Sequence, residues 1–254
     1  SGTRLPSAGR PLSSEAIIPA DAANLISTMA DAPTSLVLLH GFASSFDHGW
    51  RQSGWVDILA DFDCEVPEID LPGHGSSTRP TDPQDYADVD SQVLEQIPPT
   101  VTNAVGFSAG GDLLVRVAIA NPGRFERIAL LGLGNNVFDE ADPSAIVDAL
   151  EGDDEPEDVQ ARLFRRLALS TGNDLKALSA FIRRTRPPLR EEDLSALDCP
   201  VLVVLGDRDM VGPADRLVAA LPSASLVTLA GVDHFSTPSD FGAIDATMRF
   251  FGLG

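Results

Sequence analysis

The apolar positions of this chain follow two periodicities that alternate along its length. Residues 35–39, 101–105, 127–133, 200–205 and 225–229 are short, nearly unbroken apolar runs, the pattern of strands buried on both faces. Residues 65–69 read as a further strand, although Pro67 stands inside it. Residues 15–19 and 25–29 are short extended runs joined by Asp21-Ala-Ala, which predicts an opening hairpin. Between these runs the apolar residues recur at helical spacing: Trp55, Ile58, Leu59 and Phe62; Val89, Val93 and Ile97, stopped by Pro98-Pro99; residues 112–120; residues 214–221; and Phe241, Ile244, Met248 and Phe251. Strands alternating with helices predict an α/β fold, a doubly wound, mostly parallel eight-stranded sheet with helices on both faces.

The pattern changes at residues 135–192, which contain no strand-like run. Asp142-Pro143 is a cap and first-turn pair for a helix reaching Leu150. Val159, Leu163 and Leu167 mark one apolar face, and Leu175, Leu178 and Ile182 a second, begun by Asn173 and closed by Pro187-Pro188. The expected organisation is a core domain, 1–134 and 193–254, carrying a helical insertion at 135–192.

Composition narrows the partners. Eighteen basic residues face 38 acidic ones in 254, a net charge of −20 that repels nucleic acid and anionic membranes. Cys64 and Cys199 each stand beside a predicted strand and read as small hydrophobes, with no disulfide framework and no metal-ligand spacing. No run approaches the length of a membrane span, and the first thirty residues show no signal-peptide pattern, so a cytoplasmic location is the expectation.

Candidate chemistry centres on residues 101–111. A β-branched strand runs through Val105 into Gly106-Phe-Ser-Ala-Gly110, a G-x-S-x-G turn, and a helical pattern follows at once. Such an elbow holds its serine hydroxyl out at the carboxyl end of a sheet. A serine needs a base to become a nucleophile, and a histidine needs a carboxylate to hold its tautomer. Turns after the late strands supply both: Gly206-Asp-Arg-Asp209 and Gly231-Val-Asp-His234. Asp207 and Asp209 compete for the acid, while Asp233, adjacent to His234, is a poor orienting partner. His40 and His74 sit in glycine turns, where imidazoles brace backbone, and His48 reads as an exposed loop residue.

Taken with His40-Gly41-Phe42 and Asp70-Leu-Pro-Gly-His-Gly75, these motifs make the chain resemble an α/β-hydrolase from about residue 15 to 252. The resemblance implies Ser108 as nucleophile, His234 as general base and Asp209 as orienting acid, since the family's acid lies three residues after the glycine. It also implies an oxyanion hole from the backbone N–H groups of Phe42 and Ala109, no cofactor or metal, and a cap formed by residues 135–192. Phe107, Val137, Phe138, Met210 and Phe235 flank the expected centre as candidates for an apolar acyl pocket or as ordinary core.

Arg162, Arg165, Arg166, Lys176, Arg183, Arg184, Arg186 and Arg190 lie in the insertion, near the six carboxylates of residues 151–158. They read as a solvated face offset by that acidic loop, in preference to a docking patch for an anionic substrate or carrier. The expected activity is hydrolysis of a carboxylic ester or thioester with an apolar acyl part. The competing readings are carbon–carbon bond cleavage of a diketone or enol by the same triad, and a non-enzymatic small-molecule receptor on the same fold. A serine at 108 argues against dehalogenase and epoxide-hydrolase chemistry, which would use an aspartate there.

Overall fold

The computed structural model describes residues 34–254. The predicted opening hairpin therefore lies outside the described residues. Five strands form one wholly parallel sheet: β1 (Val37–Leu39), β2 (Asn103–Phe107), β3 (Arg127–Leu131), β4 (Val201–Gly206) and β5 (Ala224–Leu229), side by side in that order. The expected strand at 65–69 is reduced to a single parallel bridge between Glu65 and Ser35. Pro67 has no N–H to continue a ladder there. The eight-stranded expectation is thus five strands and one bridge among the described residues.

Alternate residues of each strand enter two different cores, which is why the strands read as unbroken apolar runs. Leu36, Leu38, Val105, Leu131 and Val204 pack with α1 (Trp55–Ala60) and α9 (Phe241–Phe251), which contributes Ile244, Met248 and Phe251. Val37, Leu39, Ala104, Leu130 and Val203 pack on the opposite face. There they meet α2 (Val89–Gln96), α3 (Ala109–Ala120) and α8 (Asp215–Ala220). Each fully buried side chain of this kind contributes about 1.5–3 kcal/mol. Among the described residues no helix is long and apolar enough to cross a membrane.

Between β3 and β4 the chain is helical: α4 (Ser144–Glu151), α5 (Val159–Ser170), α6 (Leu175–Arg183) and the short α7 (Glu191–Leu194). The sequence reading of α5 needs correction. Val159 and Leu163 are 59% and 41% exposed, whereas Ala161 and Ala168 are buried. The helix is rotated because Phe164, on the Ala161 side, seats its ring against Phe42 and Phe235. Helix α6 is capped by Asp174, whose carboxylate accepts from the N–H groups of Lys176 and Ala177. Asn173, expected to begin that helix, points elsewhere.

Pairing of Leu39 with Gly106, Phe107 with Leu131 and Gly206 with Leu229 brings the carboxyl ends of the strands to one edge. At that edge β2 turns directly into α3 with only Ser108 between them. The closeness is possible because two positions lack a Cβ. One at Gly106 would stand 2.6 Å from the Gly111 Cα, and one at Gly110 would strike the Leu39 carbonyl oxygen. Neither obstacle is a side chain that can swing aside. Gly110→Ala is expected to cost about 3 kcal/mol of stability, read as a lower urea midpoint at unchanged slope; a shift within experimental error would show that the strand–helix contact yields.

Candidate active site

Ser108 stands at φ +50° and ψ −114°, a conformation that side chains rarely adopt. Holding a non-glycine residue there costs of order 1–3 kcal/mol, and the surrounding sheet and helix must over-determine it. Its N–H donates to the Leu131 carbonyl of β3 (2.9 Å), and its own carbonyl accepts from Asp112 N in the first turn of α3 (2.9 Å). The hydroxyl is thereby directed away from both elements toward the loop that follows β5.

That loop carries His234, which is 3% exposed. Its Nε2 lies 2.9 Å from Ser108 Oγ, and its Nδ1 lies 2.9 and 3.0 Å from the two carboxylate oxygens of Asp209. An Nδ1 facing a carboxylate carries the proton, which leaves Nε2 as the acceptor for the serine hydroxyl. The Asp209 side chain is wholly buried and also accepts from Val211 N (3.0 Å). Asp207 is exposed and spends its carboxylate on Gly231 N (2.7 Å), tying the turn after β4 to the turn after β5. Asp233 accepts from Ser236 N (2.9 Å). Of the three nearby aspartates, Asp209 alone reaches the imidazole.

The loop after β1 approaches from the other side. Among the described residues the backbone N–H groups of Phe42 and Ala109 meet no protein acceptor. Ala109 opens α3, so its N–H is one of the helix's unpaired first-turn donors. His40 and His74 brace this region. His40 Nδ1 donates to Gly41 O (2.9 Å) and its Nε2 accepts from Leu71 N (3.1 Å). His74 Nδ1 donates to Pro72 O (3.0 Å), and burial pulls this imidazole down to about 3, keeping it neutral. Burial would raise Asp70, but the neighbouring His40 and hydrogen bonds from Phe46 N and Ser76 N outweigh it and hold the carboxyl well below the usual range.

Asn173 is the positioning residue that sequence reading missed. Its side-chain amide donates to the carbonyls of Ala43 (3.0 Å) and Ser44 (2.9 Å), and its oxygen accepts from Gly75 N (2.7 Å). One side chain thus joins the loop after β1, the Asp70–Gly75 turn and the connection from α5 to α6. A helix-start asparagine is the only trace of this in sequence, and it points to capping instead.

Two cavities open on Ser108. One, about 350 Å³, is lined by Trp50, Phe107, Phe164, Leu167 and Phe235. The other, about 460 Å³, lies toward α3, α4 and α6 and is lined by Ala109, Ile146, Phe181, Arg184 and Met210. Of the five candidate pocket residues, Phe107, Phe235 and Met210 line these cavities. Val137 and Phe138 line neither. Val137 is buried in the core and accepts from Leu189 N (2.8 Å), while Phe138 lies under the Arg216 guanidinium. Phe164 and Trp50 take their place because α5 and the turn at 47–51 fold over the serine, a long-range event that spacing near the motif does not register.

The arginines of residues 135–192 divide. Arg183 pairs with Glu151 (2.8 Å), Arg166 with Glu155 (2.5 Å) and Arg190 with Asp193 (2.6 Å), on the surface as the acidic loop suggests. Arg184 and Arg186 turn inward, Arg186 to Asp112 (2.8 Å).

Residues 36–244 match the model of the alpha/beta hydrolase family. The chain is 28% identical over 247 residues to a pimeloyl-(acyl-carrier protein) methyl ester esterase of Nitrosomonas europaea, covering 85% of this chain and 95% of that one. A protein of the same description from Chromobacterium violaceum is 30% identical over 240 residues, covering 82% and 90%. Among solved structures, NosK from Streptomyces actuosus superposes with a TM-score of 0.66 at 19% identity, covering 87% of this chain and 98% of that one. A parallel sheet with this elbow at its edge, matched along most of its length, makes the chain a member of the alpha/beta hydrolase family and an enzyme of that family.

Proposed function

We propose that this enzyme hydrolyses a carboxylic ester through a serine-bound acyl intermediate. The observation that carries the reading is the unbroken line of hydrogen bonds from Ser108 through His234 to the buried Asp209. The names of the Nitrosomonas and Chromobacterium relatives, both methyl ester esterases, support the same bond type. No observation favours carbon–carbon cleavage or a receptor role.

In this mechanism Ser108 Oγ attacks the ester carbonyl carbon as its proton passes to His234 Nε2. Asp209 holds the Nδ1 proton and stabilises the imidazolium without taking the proton itself. The carbonyl oxygen becomes an oxyanion facing the N–H groups of Phe42 and Ala109, whose pairing with developing charge is worth about 2.7–4 kcal/mol per donor. Collapse breaks the bond to the alkoxy oxygen, which leaves as the alcohol with the proton from His234. Water then attacks the acyl-serine carbonyl, gives its proton to His234, and the acid departs as that proton returns to Ser108 Oγ. Residues 135–192 act as a cap: Phe164 walls the first cavity, Phe181 the second, and Asn173 fastens the segment to the loop that carries Phe42.

Ser108→Ala is expected to fold with an unchanged melting profile and to lose ester turnover by roughly 10⁴-fold or more. A fluorophosphonate should modify the wild-type chain once, on the peptide containing Ser108. Retained turnover in a pure Ser108→Ala sample, or labelling elsewhere, rules the mechanism out. Running a vinylogous diketone beside the esters checks the bond type, and cleavage of the diketone alone would transfer the assignment to carbon–carbon hydrolysis.

The two aspartates of the β4 turn should differ sharply. Asp209→Asn removes the carboxylate that faces Nδ1 and is expected to lower kcat by about 10³- to 10⁴-fold. Asp207→Asn touches only the Gly231 N–H and should lower kcat by less than about tenfold. Equal losses in steady-state kinetics would mean that Asp209 does not orient the base.

A further inference from the structure

At the α3 end of the second cavity three guanidiniums gather around the buried carboxylate of Asp112. Asp112 lies one helical turn beyond Ser108, is 2% exposed, and takes hydrogen bonds from two guanidiniums. Arg116 Nε and Nη2 lie 3.0 and 3.3 Å from its oxygens, and Arg186 Nε and Nη2 lie 2.8 and 2.9 Å away. Those four bonds saturate the carboxylate and, against the cost of burial, hold it ionised. A third guanidinium, Arg184, lies beside them and is only 8% exposed. Among the described residues no carboxylate lies within ion-pair distance of it. Its one hydrogen-bond acceptor is the Phe181 carbonyl, reached by Nη1 (2.7 Å). The group lies over the Phe181 ring, 3.8 Å from its centroid. A guanidinium carries five N–H donors, so most of the Arg184 fork is uncommitted in the wall of the cavity that also contains Ser108.

Asp112 and Asp90 attract Arg184 without bonding it, and burial outweighs them. Burial also raises Asp90, whose Oδ1 is buried with no hydrogen-bond partner among the described residues. Burial correspondingly disfavours the charged form of Arg184 and draws it down to about 10, well above neutrality. A desolvated, aromatic-stacked guanidinium with free donors is the arrangement that recognises a carboxylate, by charge and by two parallel hydrogen bonds. A net charge of −20 disfavours the approach of an anionic ligand, which a local guanidinium offsets.

We infer that Arg184 is a specificity-determining residue, and that the second cavity takes an ester bearing a free carboxylate, seated on the Arg184 fork while its ester carbonyl lies at Ser108. This substrate class rests on the ester-hydrolase reading of Ser108, but the anion site itself does not. Arg184 and Ser108 line the same cavity of about 460 Å³, so the carboxylate and the ester belong to one small ligand.

The test is binding first and turnover second. Calorimetry on Ser108→Ala compares monomethyl esters of the four- to eight-carbon dicarboxylic acids with methyl esters of the matching monocarboxylic acids. Carboxyalkyl acetates, with the carboxylate on the alcohol side, form a second series. A carboxylate-bearing ester in at least one series is expected to bind about 10- to 100-fold more tightly than its neutral counterpart. Adding Arg184→Gln should bring the ratio to within about threefold of one, whereas Arg190→Gln, which breaks only a surface pair, should leave it unchanged. If Arg184→Gln does not fold, Arg184→Lys keeps the charge but loses the stacked fork and should reduce the ratio severalfold. Absence of any carboxylate preference in both series overturns the proposal, as does a preference indifferent to Arg184. In the wild type the same preference should appear in kcat/KM. An Arg184-dependent binding preference in a protein that hydrolyses none of these esters would retain the anion site and refute the esterase reading instead; turnover of neutral esters without the preference would do the reverse.

Discussion

The structure depends on one constraint, the passage of the chain from β2 into α3 through a single residue. Ser108 can hold its positive φ only while Gly106 and Gly110 let strand, helix and the end of β1 approach without Cβ atoms between them. That closeness turns the hydroxyl outward at the sheet edge, toward His234. The parallel register does the rest. Every strand ends on this edge, so the turn after β4 delivers Asp209 and the turn after β5 delivers His234 without any element leaving its regular course.

Charge is handled differently inside and outside the protein. On the surface, arginines of the helical segment meet the acidic residues beside them in exposed pairs, each worth about 0–1 kcal/mol and weakened by salt. Inside, Asp70 accepts from Phe46 N and from the N–H and hydroxyl of Ser76, and Asp112 from two arginines. Removing one partner of a buried pair leaves an uncompensated charge and costs about 3–5 kcal/mol. Arg184 is the exception, buried on an aromatic ring with no carboxylate within ion-pair distance among the described residues, and it lines the cavity that holds the serine. Three arginines and two aspartates line that cavity, in a chain whose net charge is −20.

The helical segment is also what links the two sides of the site. Phe164 of α5 touches Phe42 and Phe235, one ring on each side of the serine, and Asn173 holds the loop after β1. The rotation of α5 that leaves Val159 and Leu163 outside has the same origin, since the face chosen for burial is the one that fits these rings.

What the sequence determined by itself was whatever depends on local pattern. Strands buried on both faces must be apolar at every position, so five runs were readable as strands, and Gly106-Phe-Ser-Ala-Gly110 between a strand and a helix was readable as an elbow. The order serine, acid, histidine was visible too, although choosing Asp209 over Asp207 needed a family spacing as well. The tertiary structure decided what pattern cannot carry. Two carboxylates two residues apart in one turn are chemically equivalent in sequence; only the packing of the β4 and β5 turns sends one to His234 and the other to Gly231 N. Val137 and Phe138 line neither cavity, while Trp50, Phe164 and Asn173 came from distant segments. Arg183 and Arg184 are neighbours of the same type, yet one reaches Glu151 at the surface and the other lies buried on Phe181. A residue's type fixes what it can donate or accept, but its partner is set by which segments the folded chain brings against it, and those contacts span more than a hundred residues.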